Sequence, residues 1–101
     1  MDPIILGEIY IGVLSLPAGR KRTQLEQWFN DVVATIECIS WDAATGRRWA
    51  QLTSQLTKRG SLMPMRDSMI AATALRYDLT VATRNTRDFK AAGVKVIDPF
   101  L

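Results

Sequence analysis

The stretch from Asp67 to Ile97 limits the choice of fold more than any other part of the chain. Asp67 to Tyr77 is nearly all apolar and too long for a strand. Its Ala71, Ala72 and Ala74 suit a helix packed closely against a neighbour. A short β-favouring run, Leu79–Thr83, follows at once. A turn or short helix at Thr86–Ala92 then leads to a second such run, Val94–Ile97, before Asp98 and Pro99. Helix, strand, helix, strand in such short order predicts an α/β layered fold with a parallel sheet. In such sheets ligands bind beyond the carboxyl ends of the strands. Thr83, Arg84, Asn85 and Asp88 fall there.

The preceding residues fit the same class. Residues 3–16 read as a largely buried helix, with Glu8, Gly12 and Ser15 forming one narrow polar strip. Pro17-Ala-Gly19 ends it. Residues 21–33 read as an amphipathic helix whose apolar side is Leu25, Trp28, Phe29 and Val32. Ile36–Trp41 has the mixed polarity of an edge strand. Asp42 is placed to cap a helix running to about Lys58, with Thr45, Trp49, Leu52 and Leu56 inward and Gly60 as its stop. Residues 61–66 form a loop around Pro64. Trp28, Phe29 and Trp49 lie at helical spacing and read as core rather than as base-stacking platforms.

Composition then removes whole classes of chemistry. At 101 residues, 48% apolar, the chain is read as a single domain, residues 1–101, with a real core. It contains no histidine. Ser-His-Asp triads, Cys-His pairs and the usual zinc sites are excluded. Catalysis, if present, falls to carboxylates, and a bound metal would be a hard ion, Mg²⁺ or Mn²⁺. The single cysteine, Cys38, excludes an internal disulfide, so a cytoplasmic location is expected. The apolar N-terminal run is too short to span a bilayer and Glu8 interrupts it, so no membrane role is expected. The net charge of +3 is mild, but basic residues cluster at 20–22, 47–48, 58–59, 84 and 87, as an anionic partner would favour.

Three acids stand out from different segments. Asp67 at a helix start is either a cap or a dipole-stabilised cation ligand. Glu8, the one charge of an apolar helix, requires solvent, a counter-charge or a metal. Asp88 is either a loop acid or a ligand near a strand end. Thr83 and Asn85 either orient a water or close the turn. Asp42 reads as a cap, and Glu26, Asp31, Glu37, Asp78 and Asp98 as surface or turn residues. Three acids near strand ends and helix starts are what metal-assisted phosphodiester cleavage uses.

Taken together these segments resemble a known family. Leu6-Gly-Glu8-Ile9 with Gly12, then Leu16-Pro-Ala-Gly-Arg20, is similar to the second motif region of PIN-domain ribonucleases of the VapC toxin type. Asp67-Ser-Met-Ile-Ala-Ala-Thr-Ala74 resembles their third acidic motif. Leu79-Thr-Val-Ala-Thr-Arg-Asn85-Thr-Arg-Asp88-Phe89 resembles the fourth, and Val96-Ile-Asp-Pro-Phe100 the last strand. The resemblance implies an α/β/α sandwich with a parallel sheet and an acidic cluster binding Mg²⁺ or Mn²⁺ to cut RNA. It makes Glu8, Asp67 and Asp88 the metal ligands, with Thr83 and Asn85 supporting the catalytic site and Arg84 and Arg87 meeting RNA phosphate. It also implies an antitoxin partner and self-association. Against the family pattern, two N-terminal strands and a first Asp motif are not represented. The expectation is therefore an N-terminally truncated domain, the position of the true start being left open. The alternative is an inactive remnant that binds an antitoxin or itself, and a third reading is an unrelated α/β ligand-binding domain.

Overall fold

A computed structural model describes residues 1–99 of the chain; Phe100, at the end of the last motif, lies outside them. The described residues fall into two compact units, divided between Ser40 and Trp41.

In the first unit, α1 (Pro3–Leu14) starts where Asp2 caps it. The Asp2 carboxylate accepts from the Ile4 N–H at 2.8 Å, and Pro3 supplies a preset φ at the first helical position. α2 (Arg20–Asp31) follows, then a 3₁₀ turn, Val33–Thr35. Tyr10 of α1 stacks on Phe29 of α2, ring centres 4.5 Å apart, and Val13, Phe29 and Val33 are buried.

Three expectations fail in this unit. The first helix is not largely buried: only Val13 is, while Tyr10, Ile11 and Leu14 are exposed. Within its unit α1 packs on α2, and one neighbour covers one side of a helix that is apolar on nearly all sides. Trp28 and Val32 are also exposed: α2 turns Phe29 inward in place of Trp28, and the 3₁₀ turn after it buries Val33 in place of Val32. Trp28 is therefore not core. Residues 36–41 form no strand; the Ile39 N–H reaches the Met1 carbonyl at 2.8 Å, but no ladder develops.

The second unit follows the sequence pattern closely. Asp42 caps α3 (Ala43–Arg59), its Oδ1 accepting from both the N–H and the Oγ1 of Thr45 at 3.0 and 3.1 Å. Gly60, at φ 71°, ends the helix. The Gly60 N–H donates to Thr57 and the Ser61 N–H to Leu56, which satisfies two terminal carbonyls. Pro64 immediately precedes α4 (Met65–Tyr77), which begins two residues earlier than expected. α3 and α4 pack along their length. Thr45, Leu52 and Leu56 face a run of buried α4 residues from Ile70 to Ala74, and Ala71 and Ala72 are fully covered. Two indoles bond into α4: Trp49 donates to Ser68 Oγ at 2.9 Å and Trp41 to Thr73 Oγ1 at 3.1 Å.

Asp78, in the left-handed region at φ 54°, turns the chain from α4 into β1 (Thr80–Ala82). α5 (Thr86–Ala91) crosses to β2 (Lys95–Ile97). β1 and β2 pair in parallel, Val81 opposite Val96, and the Thr83 N–H to the Ile97 carbonyl extends the ladder. Phe89, Ala92 and Val94 complete the core here. The parallel sheet is as expected, with two strands among the described residues. No helix among them is long and apolar enough to cross a membrane.

Candidate active site

The carboxyl end of β1 carries the most structured cluster of candidate residues. The Asn85 N–H donates to Thr83 Oγ1 at 3.1 Å, and Asn85 Nδ2 donates to Asp88 Oδ2 at 3.0 Å. Thr83 and Asn85 therefore close the turn through their side chains, as such residues do. The second bond also fixes the orientation of the half-buried Asp88 carboxylate and occupies one of its oxygens. Arg84 and Arg87 alternate with these residues and are exposed.

Asp67 is the third residue of α4, in its first turn rather than at its cap. There the carboxylate lies beside the N-terminal end of the helix, where cation ligands and caps are commonly placed. It is half-buried, and among the described residues it has no hydrogen-bond or ion-pair partner, so the pairing with Arg66 that adjacency allows is not made. Glu8 is exposed on α1, in the other unit.

The structure thus joins Thr83, Asn85 and Asp88 by direct bonds. Among the described residues no three acidic or cysteine side chains gather closely enough to hold a metal ion. The donors nevertheless suit a hard divalent ion in kind. Mg²⁺ keeps several waters and is often held by only one or two carboxylates plus substrate phosphate. Asp67, with no side-chain partner among the described residues, and Asp88, with one oxygen engaged, are carboxylates of that type.

Asp42 is the acid whose titration is clearly displaced. The Thr45 N–H holds it below the ordinary 3.8, Thr45 Oγ1 and Arg76 act in the same sense, and burial opposes them. Its Oδ2 meets Arg76 at 2.9 Å. Asp42 is thus the cap its position suggested, and it is also an ion-pair partner of Arg76, which the sequence did not suggest.

Sequence reasoning overlooked the loop between α3 and α4. A cavity of about 260 Å³ lies between Gly60–Met63 and α5, with Arg87 and Asp88 in its wall. Arg59 donates to the Ala91 carbonyl of α5 at 3.2 Å. The signal available was the basic pair Lys58-Arg59 directly before the helix-stopping Gly60.

The parallel strand–helix–strand unit, with a clamped aspartate in the first turn of its helix, defines an α/β protein. The PIN domain model matches residues 1–95, and the chain belongs to the PIN-domain family. It is 31% identical over 103 residues to the VapC ribonuclease Y4jK of Sinorhizobium fredii, a match covering 99% of this chain and 74% of that one. Toxin FitB of Neisseria gonorrhoeae is likewise 31% identical, with the same two coverages. The structure of FitAB bound to an IR36 DNA fragment superposes with a TM-score of 0.91 at 30% identity. That superposition covers 99% of this chain and 72% of the other.

Proposed function

We propose that this protein is a divalent-metal-dependent ribonuclease of the VapC toxin type, acting on RNA in the cytoplasm under the control of an antitoxin protein. The observation that carries the reading is the bonded run Thr83–Asn85–Asp88 from the end of β1 into the first turn of α5, inside the segment that resembles the family's fourth motif. Y4jK is named a VapC ribonuclease and FitB a toxin. A complex of FitA with FitB supports a protein partner of the same kind here.

The roles follow from the chemistry of each side chain. Asp67 and Asp88 are ligands for Mg²⁺ or Mn²⁺, Asp67 favoured by its helix start and Asp88 held in orientation by Asn85. Glu8 is assigned the same role on its motif. Thr83 anchors the Asn85 backbone. Arg84 and Arg87 are exposed cations next to the clamped acid and meet phosphate. The bound ion supplies an activated water for phosphodiester cleavage.

A second reading has its own support. FitB is described in a complex with FitA, so a PIN domain that binds an antitoxin or a second copy without cutting RNA is the alternative. Incubating the 101-residue chain with single-stranded RNA and Mn²⁺ separates the two. Cleavage that Asp67→Ala and Asp88→Ala each remove supports the enzyme. Equal traces in wild type and variants would mean contamination and leave the binding module.

A further inference from the structure

We propose that the cavity between the α3–α4 loop and α5 seats one nucleotide of the RNA beside the cut, and that Ser61, Leu62 and Met63 set the base preferred there. The inference rests on the ribonuclease reading for its substrate and goes beyond it in assigning a specificity site.

The walls differ in chemistry. On the α5 side stand Arg87 and Asp88; on the loop side stand Ser61, Leu62 and Met63, the last two also lining a second, apolar pocket with Trp49 and Leu56. Leu62 is 72% exposed and so open to a ligand entering from solvent. A simple anion would pair with Arg87 but would meet Asp88 as a like charge and leave Leu62 and Met63 unused. A purely apolar ligand would strip water from Arg87 and Asp88 without replacing it. A nucleotide answers both walls. Its phosphate suits Arg87, its sugar hydroxyls and base N–H groups can donate to Asp88 and Ser61, and its flat base can lie on Leu62 and Met63. The volume, about 260 Å³, is below the ~300 Å³ at which pockets for drug-sized ligands begin, so it suits one nucleotide rather than several.

Gly60 turns the chain at φ 71°, and a Cβ added there would meet nothing within 4 Å. The Arg59 bond to the Ala91 carbonyl ties the end of α3 to α5, which carries Arg87 and Asp88. Arg59 is therefore a positioning residue for the site, acting through α5.

The test compares the wild-type chain with Leu62→Ala and Met63→Ala on single-stranded RNAs in which each position around the cut carries each base in turn. The expected result is a change of roughly fivefold or more in base preference at one position next to the cut, the low end for one lost base contact, with other positions unmoved. Leu62 is exposed, so its variant keeps the fold; thermal melting checks this. In parallel, RNA bearing thiouridine is photocrosslinked to the Asp67→Ala chain, a readout that needs no cleavage. Crosslinks in the segment 60–63 support the site. If the wild type cuts nothing yet crosslinks fall there, the enzyme reading fails and the nucleotide site stands. If RNA is cut, preferences are identical in all three proteins and crosslinks lie elsewhere, the site is refuted and the enzyme reading stands. Weakened binding of a protein partner by Leu62→Ala, with an unchanged RNA profile, also overturns it.

Discussion

α1 and α4 are helices of nearly equal length, 12 and 13 residues, and each carries one proposed metal ligand, Glu8 or Asp67. α1 is the more apolar, with Glu8 its one charged residue, whereas α4 has Arg66, Asp67 and Arg76. Yet α4 buries six residues and α1 buries one. Apolar content therefore does not decide which helix is inside. α4 has Ala71 and Ala72 where a neighbour must come close, and Ser68 and Thr73 where indoles can bond. α1 is apolar on nearly all sides, so no face is selected over the others.

The comparison breaks most sharply at matched substitutions. Leu52→Ala removes a side chain only 2% exposed on the α3 side of the helix pair and should cost about 2–5 kcal/mol, read by denaturant unfolding. Ile11→Ala on α1, 55% exposed, should change stability by no more than about 0.5 kcal/mol. Equal losses would mean that α1 is packed as tightly as α4. Ala72→Leu comes next. It forces three extra heavy atoms against α3 where there is no room, at about 1–3 kcal/mol. A neutral outcome would show that the helices can separate freely, and the close-packing argument would fail.

What was legible in the sequence follows the same contrast. The cap at Asp42, the stop at Gly60, the inward faces of α3 and α4 and the β1–α5–β2 order could all be read because each segment has one clear period and clear punctuation. α4 was misjudged by two residues because Pro64 fits immediately before a helix start and Asp67 fits equally well in the first turn. The exposure of α1 could not be read, since periodicity cannot report how many neighbours a uniformly apolar helix has. Segment 36–41 had strand-like residues but gained no ladder partner. At the site, the positions of Thr83, Asn85 and Asp88 were readable from the motif. That Asn85 grips Asp88 was not, because it depends on where the turn directs two side chains.

A third substitution carries the comparison to the polar bonds. Trp49→Phe keeps most of the ring but deletes the N–H to Ser68, and should cost about 0.5–1.5 kcal/mol. Denaturant unfolding of Trp49→Phe with and without Ser68→Ala checks this. If the two losses simply add, the hydrogen bond contributes nothing between α3 and α4. Asn85→Ala should have a smaller effect on stability, since its bonds are exposed, but should weaken Mn²⁺-dependent cleavage by freeing the Asp88 carboxylate. A rate that recovers at higher Mn²⁺ would locate the loss in ligand orientation, whereas a rate insensitive to Mn²⁺ would count against Asp88 as a ligand.

The smallest effect is expected at Asp42 and appears only as a function of pH. Its folded pKa lies below 3.8, chiefly because the Thr45 N–H donates to the carboxylate. A lowered carboxylate pKa means the folded state holds the proton less readily than the unfolded chain. The associated stability is therefore fully present above the ordinary value and is lost as pH falls through the folded one. Asp42→Asn keeps an acceptor for Thr45 but carries no charge at any pH. Wild type should melt at a higher temperature than Asp42→Asn at neutral pH, and the gap should close below pH 3.8 as Asp42 itself becomes neutral. A gap that persists in acid would assign the difference to cap geometry rather than to charge. No gap at any pH would mean that the ion pair with Arg76, 2.9 Å long but solvent-facing, adds nothing to the cap.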